Sequence, residues 1–194
     1  RISAAQINSP DVYRISLIWP IIEKLQSVSG KSYESHTESM RVIADHLRAA
    51  TFLAVDGVKP SNKEQGYVMR RFLRRSIRYA FDLGIEQNFF QEIVPVIADL
   101  YANDYPEVNN QRDEVIAVLV KEEKAFRQTL NKGLRELNRF VAGGLNGAEL
   151  FMLHDTYGFP VELSIEEAYK QNIDVAKDWR IDFDIKMAEQ RLRS

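Results

Sequence analysis

Cysteine is absent from the 194-residue sequence, and histidine and tryptophan occur only three times and twice. The lack of cysteine excludes disulfides, thiolate nucleophiles and cysteine-ligated zinc, and it is compatible with a reducing cytoplasm. The three histidines, His36, His46 and His154, lack the close spacing of metal ligands on one helix. No stretch of about 18 apolar residues occurs, so no membrane span is expected. We therefore expect no metal site and no membrane partner, and a cytoplasmic location is our expectation alongside them.

An excess of charge of either sign is lacking as well. The sequence has 26 basic and 28 acidic residues, which gives a formal net charge of −2. A nucleic acid would therefore have to bind a local basic surface rather than the molecule as a whole. The hydrophobic content of 45% is sufficient for a substantial core.

One local basic surface is present, within residues 56–83. Five arginines occur between positions 70 and 78, and no acidic residue interrupts residues 65–81. At about 100° per residue they share an arc of about 140°, opposite an apolar stripe. The arginines are Arg70, Arg71, Arg74, Arg75 and Arg78. The pattern predicts a helix that buries one face and presents the other to phosphates. A solvated face with ion pairs is the alternative, and some arginines are expected to pair with the acidic helix that follows Asn110.

Apolar residues recur at helical spacing along most of the chain, and no segment alternates for long enough to indicate a sheet. Besides the arginine-bearing helix, helices are predicted at residues 13–28, 35–55, 87–101, 109–142, 147–154, 164–172 and 182–193. Capping boxes are predicted at residues 61–64 and 164–167. Gly66 leaves open a short turn followed by a separate arginine-bearing helix.

The predicted helix at residues 109–142 would extend about 50 Å, too long to be covered by one small core. It therefore indicates a strut between two parts of the chain. We predict an all-α fold, a helical bundle-like domain in which one long strut helix joins two helical subdomains, residues 1–108 and 109–194.

Four blocks of the sequence resemble alanyl-tRNA synthetases, in the same order and at similar spacing. They are RVIADHLR at residues 41–48, DGVKPSN at 56–62, GYVMRR at 66–71 and DTYGFP at 155–160. The resemblance covers nearly the whole chain but only part of that enzyme. It implies the helical middle domain, whose role in the family is to recognise the acceptor stem of tRNA(Ala). Because the class II catalytic motifs and the editing and C-terminal domains are absent from the sequence, we expect Arg1 to begin a piece of a longer protein.

For the parent enzyme, the resemblance implies an alanine–tRNA ligase that uses ATP and Mg²⁺ and carries zinc in its editing domain. This piece alone is expected to have no catalytic residue and no cofactor. Its implied partners are the tRNA(Ala) acceptor stem and the catalytic and editing domains of the same chain.

The resemblance also implies two residues that recognise a G·U wobble pair in the acceptor stem, Asn62 in the PSN block and Asp155 in the DTYGFP block. The guanine of such a pair leaves an unpaired amino group in the wide, shallow minor groove, where short side chains on loops can reach it. Each residue has a structural alternative, Asn62 as a helix cap and Asp155 as the cap of a helix beginning at Pro160. The five arginines would contact phosphates without reading sequence, with Arg70 and Arg71 the first choices.

Two other functions fit parts of the sequence. A helical interaction module, or a non-catalytic paralogue, would use the arginines to bind an acidic protein or RNA. An enzyme that uses Asp45 and His46 is disfavoured, because adjacent residues on a helix do not face each other. His154 stands where the family has a tyrosine, and it would alter the packing of the DTYGFP turn or make the turn sensitive to pH.

Overall fold

The structure, a computed structural model, describes residues 10–140 and 143–193. These ranges contain nine α-helices and no strand, so the all-α prediction is confirmed. The helices are α1 (Trp19–Ser29), α2 (Thr37–Val55), α3 (Glu64–Asp82), α4 (Phe90–Tyr101), α5 (Pro106–Asn110), α6 (Arg112–Arg139), α7 (Gly147–Tyr157), α8 (Val161–Lys170) and α9 (Trp179–Arg193). None of the helices in the described ranges is long and apolar enough to cross a membrane.

The first helix begins later than the predicted residue 13. Residues Val12–Arg14 form a single 3-10 turn, and α1 starts at Trp19. Pro20 occupies the first turn of α1, where its missing N–H removes no helical hydrogen bond. Gly30 ends α1 in the left-handed conformation, with φ of 67°, as the sequence indicated. Apart from the region of α5 and α6, the other helix ends lie within about three residues of the predicted ones.

The longest predicted helix is two helices in the structure. α5 ends at Asn110, Gln111 leaves the helical conformation with ψ of 11°, and α6 begins at Arg112. The prediction of one helix from residue 109 is therefore wrong. α6 ends at Arg139, and the last two residues of the prediction, 141 and 142, lie outside the described residues.

The chain divides into two compact units inside α6, the first ending at Lys124 and the second beginning at Ala125. This division falls later in the chain than the expected boundary between residues 108 and 109. One reason is the buried carboxylate of Glu123, which accepts hydrogen bonds from the backbone N–H groups of Phe89 (3.0 Å) and Phe90 (3.2 Å). These bonds cap the start of α4 and join the first part of α6 to the first unit. The strut role of α6 stays a prediction.

The core of the first unit comes from the inner faces of its longer helices. Among the fully buried side chains are Ile21, Leu25, Met40, Leu47, Phe90 and Ile93. The apolar stripe predicted for α3 is confirmed, since Met69, Leu73, Ile77 and Ala80 are buried and Phe72 is half-buried. α2 packs along α3, so the buried stripe of α3 fixes which way its arginines point.

The second unit has its own core. Phe126 on α6 stacks on Phe159, with ring centroids 6.5 Å apart. Gly133 allows this ring to approach, because a Cβ at that position would lie 3.0 Å from the Phe159 ring. The capping box predicted at residues 164–167 is wrong, since Ser164 lies inside α8 and donates to the carbonyl of Pro160 at 3.3 Å. A capping box that the sequence reading missed begins α7 at Asn146, as Glu149 completes it.

Candidate nucleic-acid interface

Asn62 lies in the loop that precedes α3, and its side chain is exposed. Its Oδ1 atom accepts a hydrogen bond from Nη1 of Arg70, which lies eight residues later, in the second turn of α3. Nη2 of Arg70 donates to the carbonyl of Pro60 at 3.4 Å. Lys63 occupies the N-cap of α3, and no side chain caps the helix there. The helix-cap alternative for Asn62 and the capping box predicted at residues 61–64 are therefore wrong.

The loop is closed onto α3 at Gly66. The Ser61 N–H donates to the Gly66 carbonyl at 3.1 Å. A Cβ on Gly66 would lie 2.2 Å from Oγ of Ser61 and 2.5 Å from the carbonyl oxygen of Lys59. α3 is continuous from Glu64, so Gly66 does not separate a short turn from a second helix. It is the position where the loop and helix backbones approach too closely for a side chain.

Ion pairs within the first unit hold Arg70, Arg74 and Arg78 of α3. The Nε atoms of Arg70 and Arg74 lie 3.3 Å and 2.8 Å from Oε1 of Glu122, whose side chain is 10% exposed. This confirms that some arginines pair with the helix following Asn110. Arg78 is buried and pairs with Asp82, four residues later on the same helix.

The absence of acids within residues 65–81 does not exclude local pairing, because Asp82 lies one position beyond that window and pairs with Arg78. Burial lowers the pKa of Arg74, and Glu122 opposes this shift. The remaining two arginines differ in exposure: Arg71 is exposed, and Arg75 is half-buried with its guanidinium 5.7 Å from the Tyr79 ring centre. Phosphate binding by the five arginines stays a prediction, and the five differ in how exposed their side chains are.

Asp155 belongs to the second unit and lies in the last turn of α7, not on a loop as expected. α7 continues to Tyr157, and Gly158 ends it with φ of 62°. Oδ1 of Asp155 accepts a hydrogen bond from Nε2 of Gln190 on α9. The carboxylate lines an open pocket of about 260 Å³, together with Phe151, Lys186, Glu189, Gln190 and Arg193. The N-cap of α8 is Pro160 without a side-chain cap, so the alternative that Asp155 caps this helix is wrong.

His154, the residue before Asp155, packs against α9 and is not part of the pocket lining. The ring of His154 meets Phe183 of α9 edge-on, with centroids 5.7 Å apart. The predicted effect of His154 on packing thus involves α9, which the sequence did not connect with this turn.

Asp45 and His46 come closer than the sequence analysis expected, with Oδ2 of Asp45 3.8 Å from Nδ1 of His46. Burial lowers the pKa of His46, and Arg75 lowers it further. The ring lies against Phe72, with centroids 4.9 Å apart, and Asp45 also pairs with Arg48 at 3.3 Å. A neutral, packed imidazole beside a carboxylate shared with an arginine is a packing arrangement rather than an acid–base site.

Two side chains that hold the candidate residues were not identified from the sequence. Glu122 is one of several acids on α6, and only its approach to Arg70 and Arg74 distinguishes it. Gln190 is separated from Asp155 by 35 positions and belongs to no motif. Across residues 10–140 and 143–193, no three His, Asp or Glu side chains gather as a metal site would require.

A family model for class II (A) tRNA synthetases matches residues 1–194. The chain belongs to this family. It is 41% identical to the alanine–tRNA ligase of Halalkalibacterium halodurans and 39% identical to that of Bacillus subtilis, over 96% of the chain in both cases. The alanine–tRNA ligase of Halorhodospira halophila is 37% identical over 100% of the chain. The chain covers 22% of each of these curated relatives. The resemblance to alanyl-tRNA synthetases is thus confirmed for a segment of about one fifth of their length.

Proposed function

We propose that this chain is the part of an alanine–tRNA ligase that binds the acceptor stem of tRNA(Ala) and recognises a G·U pair in it. The observation that carries the proposal is the state of Asn62, an exposed amide at the start of an arginine-bearing helix, held by Arg70 rather than used as a helix cap. An exposed polar side chain fixed by a neighbouring cation is suited to contact a ligand from outside.

Asn62 and Asp155 offer opposite hydrogen-bonding groups. Because Oδ1 of Asn62 already accepts a hydrogen bond from Arg70, we assign the contact with RNA to its amino group, a donor. Asp155 accepts from Gln190 through one oxygen and keeps further acceptor capacity. In a wobble pair the guanine amino group is a donor, and the uracil O2 and ribose oxygens are acceptors, all in the minor groove. We assign the guanine amino group to Asp155 and the acceptors to Asn62.

The arginines of α3 supply attraction to phosphates in this proposal. Arg71 is the first choice because it is the exposed member of the set. Arg70, expected from sequence to contact phosphate first, is engaged with Asn62 and Glu122 and is reassigned to holding the loop. Phosphate contacts supply affinity and register, whereas the two base contacts supply discrimination.

The ligase reaction itself is assigned to the rest of the parent enzyme. Activation of alanine with ATP and Mg²⁺, and zinc in the editing domain, belong in this proposal to the rest of the parent enzyme, because the chain covers only 22% of its curated relatives. The chain holds the acceptor stem and performs no chemical step. A cytoplasmic location is part of the same proposal.

The test is binding of this chain to two acceptor-stem hairpins that differ only in a G·U or G·C pair, followed by fluorescence anisotropy. We expect the G·U hairpin to bind more tightly. Asn62→Ala and Asp155→Ala should each lower its affinity about tenfold or more, since loss of a base contact typically costs about 1–3 kcal/mol. Asn138→Ala and Asp184→Ala, at exposed positions on α6 and α9, are the matched controls and should bind as the unmodified chain does.

Equal binding of both hairpins by the unmodified chain would exclude base recognition. Binding of neither hairpin would overturn the proposal altogether and favour an acidic protein partner. Normal binding by both alanine variants would show that the recognising residues lie elsewhere.

A further inference from the structure

Glu122 is placed where one carboxylate serves two guanidinium groups. Its Oε1 lies 3.3 Å from Nε of Arg70 and 2.8 Å from Nε of Arg74, and only 10% of its side chain is exposed. Arg70 and Arg74 are neighbours on one face of α3, so their positive charges repel each other unless an acid lies between them. A carboxylate this buried is stable when its charge is compensated, and these two cations provide that compensation.

Arg70 connects this ion-pair cluster to the Asn62 loop. Its Nε lies 3.3 Å from Oε1 of Glu122 as an ion pair without a hydrogen bond, whereas Nη1 donates to Oδ1 of Asn62 and Nη2 to the Pro60 carbonyl. The guanidinium is planar and its donors have fixed directions, so the electrostatic attraction that draws this group towards the Glu122 carboxylate also limits where its two Nη groups point. Glu122 thus sets the orientation of Arg70, and Arg70 sets the orientation of the Asn62 amide.

We propose that Glu122 is a positioning residue for RNA recognition, acting through Arg70 on Asn62. The proposal rests on the proposed function, because Asn62 must contact RNA for its orientation to matter. Glu122 itself touches no RNA in this scheme. It keeps the acceptor oxygen of the Asn62 amide turned inwards and its donor turned outwards, and it withholds Arg70 and Arg74 from phosphates.

Because Glu122 both orients Arg70 and withholds two arginines from phosphates, Glu122→Gln should lower the preference for G·U while it raises the affinity for G·C. Loss of stability would not produce this combination. Removing the charge weakens the attraction that holds Arg70, so the preference for the G·U over the G·C hairpin should fall about fivefold, within the range for the coupling of two contacting residues. At the same time two guanidinium groups lose their acidic partner, so binding of the G·C hairpin should become tighter and more dependent on salt. Partial unfolding would instead weaken the binding of both hairpins.

A double-mutant cycle with Asn62→Ala tests whether Glu122 acts through Asn62. If it does, Glu122→Gln should cause no further loss of preference in the Asn62→Ala background. Arg70→Lys is the second variant, should Glu122→Gln fail to fold. Lysine keeps the positive charge but cannot reach Asn62, Pro60 and Glu122 together, so this variant should also lose the preference for the G·U hairpin. Glu136→Gln is the matched control, because Glu136 is on the same helix and pairs with Arg139.

The outcomes separate the two proposals. If Asn62→Ala and Asp155→Ala both leave the G·U preference unchanged, the proposed function fails. If Asn62→Ala alone leaves it unchanged, Glu122 has no recognising residue to act through and its role is overturned. If Asn62→Ala abolishes the preference while Glu122→Gln and Arg70→Lys retain it, the proposed function stands and the role of Glu122 is overturned. Fully additive losses in the double mutant would also overturn it, since Glu122 would then act independently of Asn62.

Discussion

At the scale of single residues, His46 on α2 shows how burial lowers the pKa of a histidine. Its ring lies 4.9 Å from that of Phe72, and burial followed by the charge of Arg75 lowers its pKa below the usual 6.5. Asp45 opposes this shift and Arg71 adds to it. A histidine with a lower pKa in the folded than in the unfolded chain takes up its proton on unfolding. The neutral form therefore stabilises the fold fully above about pH 6.5, and this contribution is lost as pH falls below that value.

We predict that the melting temperature is lower at about pH 5.5 than at about pH 7.5. Protonation of His46 should account for on the order of 2 °C of this difference. His46→Gln should reduce the difference between the two pH values, as measured by circular dichroism. Asp11, whose pKa is also lowered, acts below its usual value of 3.8 and does not overlap this range. An unchanged pH difference in His46→Gln would contradict the assigned titration.

The candidate residues and their holders were not equally predictable from the sequence. Asn62 and Asp155 follow from the resemblance, because the PSN and DTYGFP blocks mark them directly. The pairing of Arg78 with Asp82 was accessible too, since residues four apart on a helix are neighbours. Glu122 and Gln190 were not, because the contacts that single them out are made between helices distant in sequence.

At the scale of elements, periodicity predicted the helices better than their ends. The apolar stripe of α3 depends only on residue spacing, and it is buried as expected. The ends depend on local backbone contacts: α7 runs on to Tyr157 and is capped by Gly158, and the loop before α3 is closed onto Gly66 instead of forming a capping box. Residues 61–64 have the residue types of a capping box. However, the loop folds back onto Gly66, α3 has Lys63 at its N-cap, and no side chain caps the helix there.

The closed loop leads to a prediction for Gly66→Ala. Alanine favours a helix interior over glycine by about 1 kcal/mol, whereas its methyl group would lie 2.2 Å from Oγ of Ser61. The loop must move away, and Asn62 moves with it. We expect little change in melting temperature but a loss of affinity for the G·U hairpin of up to about tenfold, the size of one base contact. Gly143→Ala is the control, because a Cβ there meets no atom within 4 Å.

Retention of full G·U affinity by Gly66→Ala would mean that the backbone contact between loop and helix does not hold Asn62. A large fall in melting temperature would show instead that the loop stabilises α3, which is a structural and not a recognition role. Hairpin binding and thermal unfolding of the same sample distinguish the two results.

At the scale of the whole molecule, charge determines how RNA can be bound. The net charge of −2 gives little long-range attraction for a polyanion, so binding depends on the arginines that are presented to solvent. The sequence shows five arginines on one face of α3 and places Asp82 four residues after Arg78, but it does not show that Glu122 pairs with Arg70 and Arg74. The number of cations that face phosphates is therefore smaller than the sequence suggests.

This reduction predicts a shallow dependence of hairpin binding on salt. The slope of log affinity against log salt is about −0.7 to −0.9 for each phosphate contacted, so two or three contacts give about −2, whereas five give about −4. We expect the smaller value. Arg71→Gln, at the exposed position, should reduce the slope by about one and weaken the G·U and G·C hairpins equally, since a phosphate contact reads no sequence. Arg139→Gln removes an exposed arginine paired with Glu136 and should leave the slope unchanged. A slope near −4 in the unmodified chain would mean that Arg70, Arg74 and Arg78 leave their carboxylates when RNA binds.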